Sequence, residues 1–209
     1  RYDQISKNVI DALIATEDER FYQHSGIDYK STFRAVVFLG SRGGGSTLTQ
    51  QLAKMLFSSR PKSKLQRITQ KLREWVIAIR LEKRYTKQEI ITMYLNKFDF
   101  LNQAIGINTA ARIYFNKDAK DLNVEESAML VGMAKNPSFY NPLRFLDKCL
   151  NRRNVVLNQM KKNKKKLNIE ISDSQFDSLK VIPINLEYNK ASHNEGIATY
   201  FREYLRSYM

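Results

Sequence analysis

The chain has 209 residues, 43% of them hydrophobic and 27% charged, which supports a packed core and excludes a disordered or collagen-like protein. A single cysteine, Cys149, excludes an internal disulfide framework and a four-cysteine zinc site. The net charge is +14. Residues 60–84 carry nine basic and two acidic side chains, and residues 144–166 carry nine and one. Such clustering indicates an anionic partner: nucleic acid, anionic lipid or a phosphorylated substrate.

Apolar residues at helical spacing predict a mostly α-helical chain. The predicted helices cover residues 5–18, 29–39, 47–57, 66–84, 87–96, 123–134, 147–162 and 196–208. Residues 40–45 form a glycine-rich, flexible break. Residues 163–190 are polar and irregular, with a short strand expected at 181–183. No stretch reaches about 18 consecutive apolar residues, the length that spans a membrane.

The helix predicted at 66–84 has the most regular apolar face. This face consists of five residues that recur at helical spacing: Ile68, Leu72, Trp75, Val76 and Ile79. We expect this face to pack against the core.

Glu17 follows Ile10, Leu13 and Ile14 on one face of the first predicted helix. Partial burial there favours the protonated form of a carboxylate, which makes Glu17 a usable proton acceptor or donor near neutral pH. The structural alternative is a helix end followed by polar turn residues.

Arg67, Lys71 and Glu74 stand at i, i+4 and i+7, in one narrow stripe beside the apolar face. Two cations and a carboxylate at the edge of a core are typical of a cleft wall. The alternative is an exposed salt-bridge ladder, which contributes about 0.3–0.5 kcal/mol per pair.

Glycines 44 and 45 precede Ser46 and Thr47 at the start of a predicted helix. Free backbone N–H groups there can bind a phosphate, and Lys54 can add a cation. No Gly-Lys-Ser/Thr follows, so this is not a Walker A loop. The alternative is an ordinary glycine linker and helix cap.

Two further patterns carry no site. Ser59 and Lys62 match the Ser-x-x-Lys pattern of penicillin-reactive enzymes, but the chain has no Lys-Thr-Gly or Ser-x-Asn partner. His24 and His193 are too isolated for a histidine-based metal site.

Five segments stand in order along residues 17–157. They are Glu17-Asp18-x-x-Phe21-x-x-His24-x-Gly26, Gly45-Ser46-Thr47-x-Thr49-Gln50-Gln51, Lys71-x-x-Glu74, Lys87-x-x-Ile90-x-x-x-Tyr94-Leu95-Asn96 and Arg152-Arg153-x-x-Val156-Leu157. Together they resemble the motifs of the peptidoglycan glycosyltransferase domain of class A penicillin-binding proteins and monofunctional transglycosylases. Singly each is weak, but five in order are highly specific.

The chain departs from the family pattern at three places. Gln70 stands where the third motif usually has arginine, and the basic connector 58–67 looks longer than usual. Residues 97–102 replace a stretch that is usually glycine-rich. Because both carboxylates remain, these changes suggest a divergent subgroup that keeps its activity.

The resemblance implies a mainly α, lysozyme-like fold with two lobes, one of them a small, mobile, membrane-facing jaw around residues 30–62. The glycosyltransferase domain would cover residues 1–160. Residues 161–209 would form a C-terminal extension that starts a linker toward a transpeptidase domain, with a monofunctional enzyme as the alternative. The chain begins in mid-pattern, so we expect an N-terminal anchor or export segment before it.

The resemblance also implies the reaction, which polymerises lipid II into β-1,4 glycan strands with inversion and releases undecaprenyl pyrophosphate. Glu17 would be the general base, and Glu74 would support the cations at the pyrophosphate. The residues implied in substrate binding are Arg34, Ser46, Thr47, Gln50, Gln51, Lys54, Arg67, Lys71 and Arg73. The remaining motif residues are implied to be structural: Asp18, Phe21, His24, Gly26, Asn96, Arg152 and Arg153.

No obligatory cofactor is implied, although a divalent cation (Mg or Mn) near Glu74 is an option. The implied partners are lipid II, the growing lipid-linked glycan, an anionic membrane surface and the cell-wall synthesis machinery, but no nucleic acid. The implied location is the outer, periplasmic face of the bacterial cytoplasmic membrane.

Two other functions compete with this interpretation. A glycoside hydrolase or lytic transglycosylase would share the fold and use two carboxylates, but a neutral glycan has no use for the basic stripe beside Glu74. A non-catalytic basic module would bind DNA or anionic membrane in a strongly salt-dependent way.

Overall fold

The computed structural model describes residues 1–37, 45–57, 61 and 63–189. Within these ranges it has nine α-helices: α1 (Lys7–Glu17), α2 (Tyr29–Val37), α3 (Leu48–Phe57), α4 (Lys64–Arg84), α5 (Lys87–Lys97), α6 (Ile107–Phe115), α7 (Val124–Met133), α8 (Leu146–Leu167) and α9 (Asp173–Val181). The described ranges contain no β-strand, only an isolated bridge between Asp99 and Ile105. The predicted mainly α class is confirmed.

Helix α1 lies in the middle of the core. Its residues 9–15 are buried, and α7 and α8 pack against it. Ser6 begins the helix, where its hydroxyl accepts a hydrogen bond from the Asn8 N–H. Because α1 is enclosed by apolar neighbours, its last residue, Glu17, has a fixed position.

Helices α3, α4 and α5 form the part of the fold that faces Glu17. Helix α3 packs against both α4 and α5. Ser63 caps α4, and a capping box between Thr86 and Glu89 begins α5. Two successive caps therefore set where these helices begin.

Three of the five residues in the apolar face predicted for α4 face solvent, whereas Trp75 and Ile79 are half-buried. Ile68, Leu72 and Val76 are 60%, 54% and 51% exposed, whereas Glu74 and Ala78 are buried. A Cβ on Gly26 would lie 2.8 Å from the carbonyl carbon of Ala78, so the backbones meet there. This close approach turns the Glu74 and Ala78 side of α4 inward and leaves Ile68, Leu72 and Val76 outside.

The C-terminal part of the described chain is more helical than predicted. Helix α8 continues to Leu167, past residue 160, and α9 occupies part of the segment expected to be irregular. Ser172 caps α9, and Phe176 is fully buried. The predicted strand at 181–183 is wrong, because α9 ends there and the following carbonyl of Ile182 accepts from Arg153.

Helix α6 is absent from the sequence prediction. Gly106, whose φ is +84°, precedes its first residue as the N-cap. Most of the residues of α6 are buried. The predicted helix at 196–208 and nearly all of the glycine-rich break at 40–45 lie outside the described residues. None of the helices in the described ranges is long and apolar enough to cross a membrane.

Candidate active site

Glu17 lies at the C-terminal end of α1 with 16% of its side chain exposed. Gln51 Nε2 donates a hydrogen bond of 3.1 Å to Glu17 Oε2. The Arg152 guanidinium lies 3.7 Å from Glu17 Oε1. The hydroxyl of Tyr94 donates to Gln51 Oε1 at 3.1 Å. The carboxylate is therefore held from α3, α5 and α8 and still reaches solvent.

Asp18 fastens the end of α1 to the beginning of α3. Its carboxylate oxygens both lie 3.0 Å from His24 Nε2, and Oδ2 accepts the backbone N–H of Leu48 at 3.0 Å. The Thr47 hydroxyl donates to the carbonyl of Gly26 at 2.7 Å. The first and second predicted motifs thus form one hydrogen-bonded unit.

Glu74 is 4% exposed on the inward face of α4. Gln70 Nε2 donates to its Oε1 at 3.1 Å, and Lys71 Nζ lies 3.3 Å from its Oε2. The same ammonium donates to the Ser46 hydroxyl at 2.8 Å. Gln70, which stands where the family pattern usually has arginine, is therefore part of the site.

The segment 46–51 connects the two carboxylates. Ser46 at one end contacts Lys71, beside Glu74, and Gln51 at the other end contacts Glu17. The structure therefore brings the first, second and third predicted motifs together in one site, although they are far apart in sequence.

Thr47 and Gln50 hold the beginning of α3. The Thr47 N–H donates to Gln50 Oε1 at 3.3 Å, and the Gln50 N–H donates to the Thr47 hydroxyl at 3.2 Å. Both residues are buried. Their positions fit a positioning role better than the substrate contact that the resemblance implies.

Another acidic residue near the motifs, Glu82, is structural. It accepts from the Thr49 hydroxyl at 2.6 Å and pairs with Lys87. Lys87 Nζ also donates to the His24 carbonyl at 2.7 Å and lies 4.3 Å from the ring centre of Phe21. These contacts tie the fourth motif to the first.

The other predicted cations are not drawn into the cluster around Glu74. Lys54, Arg67 and Arg73 are exposed, and Arg34 contacts the Ser31 hydroxyl at 3.5 Å. Arg67 lies one helical turn before Lys71 on the same side of α4, whereas Arg73 is turned by about 100° from Glu74.

The paired arginines of the fifth motif point to different places. Arg152 reaches Glu17 and lies over the ring of Tyr140. Arg153 is buried and donates to the carbonyls of Lys180 and Ile182. The sequence pattern does not distinguish the two, and it gives no role to Tyr94.

Asn96, predicted as a structural motif residue, packs against Gly106. A Cβ on Gly106 would lie 2.9 Å from the Asn96 carbonyl oxygen, so the backbones are in contact at the end of α5. This contact explains why position 106 is a glycine, and it fixes the backbone of Asn96 against the loop before α6.

The described residues do not fit a resident divalent cation. They contain no group of three or more His, Cys, Asp or Glu side chains placed to hold a metal ion. Glu74 is engaged by the Lys71 ammonium and the Gln70 amide, donors that occupy its oxygens and disfavour a cation.

Residues 1–161 match the family described as Transglycosylase. The chain belongs to the transglycosylase family. Penicillin-binding protein 1A of Escherichia coli is 40% identical over 211 residues, which cover 99% of this chain and 24% of that protein. Penicillin-binding protein 2a of Streptococcus pneumoniae serotype 2 is 44% identical over 156 residues, covering 75% and 21%.

A crystal structure of penicillin-binding protein 1A from Haemophilus influenzae matches 78% of this chain and 19% of that one, with 28% identity and a TM-score of 0.46. The chain spans about a quarter of the length of the curated relatives it matches. Membership of the transglycosylase family confirms the predicted enzyme class, a peptidoglycan glycosyltransferase.

Proposed function

We propose that this transglycosylase domain polymerises lipid II by inverting transfer, with Glu17 as the general base. The observation that carries the proposal is the segment 46–51, which joins Glu17 at one end to Lys71 and Glu74 at the other. A base and a cationic group are thus held by one rigid piece of chain, as a reaction that removes a proton and expels a pyrophosphate requires.

Glu17 would take the proton from the 4-hydroxyl of the acceptor sugar. That oxygen forms a bond to the anomeric carbon of the growing chain, and the bond from this carbon to the pyrophosphate oxygen breaks, with inversion. Among the described residues Gln51 occupies Oε2, whereas Oε1 has an ion-pair contact of 3.7 Å with Arg152, longer than a hydrogen bond. We therefore assign the proton to Oε1.

Lys71 would stabilise the negative charge that develops on the leaving pyrophosphate. Its side chain is 41% exposed, so the ammonium can meet a substrate, and Ser46 and Glu74 hold its position. Arg67, one turn earlier on α4, is the cation best placed to join it. Gln51 and Ser46 would orient the donor, while Thr47, Gln50 and Asp18 keep their segment in place.

The exposed stripe of α4 supports a substrate delivered at an anionic membrane. Leu65, Ile68, Leu72 and Val76 face outward on a helix that also carries many lysines and arginines. A basic amphipathic helix of this kind binds anionic membrane surfaces. Accordingly, we propose that the domain acts at the outer face of the cytoplasmic membrane, beside the cell-wall synthesis machinery. We also propose that residues 161–209 lead toward a transpeptidase domain.

A glycan hydrolase is the rival that the experiment must separate. Purified protein would be given lipid II in detergent, and in parallel intact cell walls, with product length and released undecaprenyl pyrophosphate as readouts. Polymer and pyrophosphate without clearing of the walls supports the proposal. Clearing of the walls without polymer refutes it and favours a lytic enzyme.

A further inference from the structure

Tyr94 is fully buried on α5 and reaches the site through Gln51. Its hydroxyl donates to Gln51 Oε1 at 3.1 Å, and Gln51 Nε2 donates to Glu17 Oε2 at 3.1 Å. The three side chains therefore form a hydrogen-bonded chain, in which Tyr94 donates to Gln51 and Gln51 donates to the Glu17 carboxylate. Three different helices, α5, α3 and α1, supply its members.

The chemistry of the groups fixes the direction of this chain. An ionised carboxylate only accepts hydrogen bonds, so Gln51 must face Glu17 with its NH₂ group. The amide oxygen is then turned toward Tyr94, whose hydroxyl must donate. Burial raises the pKa of Tyr94, and the charge of Glu17 raises it further, so the hydroxyl keeps its proton throughout any assay range.

A glutamine amide can turn by half a rotation with almost no change of shape. The turned amide would place its oxygen against the oxygen of Glu17, which repels the carboxylate. Without the Tyr94 hydroxyl, the amide oxygen loses its one described hydrogen bond, and the amide is held only at its Glu17 end. The carboxylate favours the observed orientation, and the Tyr94 hydroxyl adds a second hydrogen bond that holds the amide in it.

We propose that Tyr94 is a positioning residue for the glycosyl transfer, acting through Gln51 on the carboxylate of Glu17. The inference rests on the proposed function, because it matters for the rate only if Glu17 is the base. Within the part of the chain that the structure describes, the titratable groups recorded against Glu17 are Arg152 on α8 and Tyr94 itself. Because Tyr94 and Gln51 are both neutral, Tyr94 holds the amide in place without adding a charge to the site.

The ring of Tyr94 is held independently of its hydroxyl. It stacks on Phe98 with ring centres 5.9 Å apart, and the side chain lies in the hydrophobic core. Tyr94→Phe therefore removes the hydrogen bond and leaves the packing unchanged. Tyr114→Phe is a matched control, because Tyr114 is also buried and its hydroxyl donates to the Phe100 carbonyl.

The experiment compares Tyr94→Phe, Gln51→Leu and the double variant in lipid II polymerisation over a range of pH. We expect Tyr94→Phe to lower kcat about tenfold with little change in KM, because a misplaced base slows the chemical step. The acid limb of its kcat profile should move to higher pH, since the ionised carboxylate loses support. The double variant should be no slower than Gln51→Leu, and Tyr114→Phe should keep the parent profile.

Two results would overturn the inference. One is a parent-like kcat and pH profile for Tyr94→Phe, and the other is a double variant whose losses multiply. Thermal unfolding of the parent, the two single variants and the double variant tests the link without substrate, because coupled residues give non-additive changes in melting temperature. If the parent makes no polymer, the proposed function fails, and additive or non-additive melting still decides whether Tyr94 and Gln51 are coupled.

Discussion

The guanidinium of Arg152 lies 3.7 Å from the carboxylate of Glu17 and 5.8 Å from the ring centre of Tyr140. The next residue, Arg153, turns the other way and binds the carbonyls at the end of α9. One helical step on α8 thus separates a residue at the candidate active site from a residue of the fold.

Exchanging each of these arginines for glutamine should separate activity from stability. Arg152→Gln should lower the rate of polymerisation by about tenfold or more with little change in melting temperature, since it removes a charge at the base. Arg153→Gln should lower the free energy of unfolding by about 2–4 kcal/mol, because it leaves buried carbonyls without donors. Kinetics and urea unfolding of both variants check this, and the reverse pattern would contradict it.

Lys71 is the cation that we expect to stabilise the leaving pyrophosphate. Lys71→Met should lower kcat by about a hundredfold, because the ammonium is placed to meet the developing charge. Lys83→Met is the matched control, an exposed lysine on the same helix. Polymerisation rates of the two variants at several salt concentrations provide the measurement. Equal losses in both would show that overall charge, rather than the position of Lys71, drives the effect.

Asp28, at the beginning of α2, makes the free energy of unfolding depend on pH. Burial alone would raise its pKa, but the Arg20 guanidinium and the hydroxyl and N–H of Ser31 outweigh burial and lower it to about 2. The unfolded value is about 3.9. The group therefore stabilises the fold above pH of about 4, and this stability is lost as the pH falls toward 2.

Asp28→Asn should lower the free energy of unfolding at pH 7 by about 1–2 kcal/mol, since Asp28 also accepts from the Lys30 and Ser31 N–H groups. The difference between variant and parent should shrink as the pH is lowered through this range. Asp3→Asn, at an exposed site, should follow the parent. A constant difference at all pH values would show that ionisation of Asp28 is not the cause.

The loop after α5 contains three successive residues with positive φ: Leu101, Asn102 and Gln103 at 64°, 50° and 67°. Gln103 is exposed, so replacing it with glycine relieves strain without removing packing. Gln103→Gly should raise the free energy of unfolding by about 1 kcal/mol. Gln88→Gly, inside α5, should lower it by about the same amount. Loss of stability in both variants would contradict this conformational origin.

Caps and apolar spacing predict most helices of this chain because they act over a few neighbouring residues. The Thr86 and Glu89 capping box and the buried face of α1 are of this kind, and the structure has both. The side of α4 that turns inward depends instead on Gly26, some fifty residues earlier in the chain. No pattern within α4 contains that information, so apolar spacing alone predicts a buried stripe.

The candidate site divides in the same way. The motif order identifies Glu17, Glu74 and the segment between them, because each motif is a local sequence signal. The link from Tyr94 to Gln51 and the different directions of Arg152 and Arg153 arise from the packing of α5, α8 and α9. Such contacts are set by the fold and leave no local signal in the sequence.

Polymerisation of lipid II by a Glu17→Gln variant tests the central claim most directly. The parent protein and Glu19→Gln, which alters the carboxylate two residues later, serve as the controls. We expect polymer from the parent and from Glu19→Gln, and none from Glu17→Gln, with all three folded to the same extent by circular dichroism. Polymer of normal length and rate from Glu17→Gln would show that another group removes the proton.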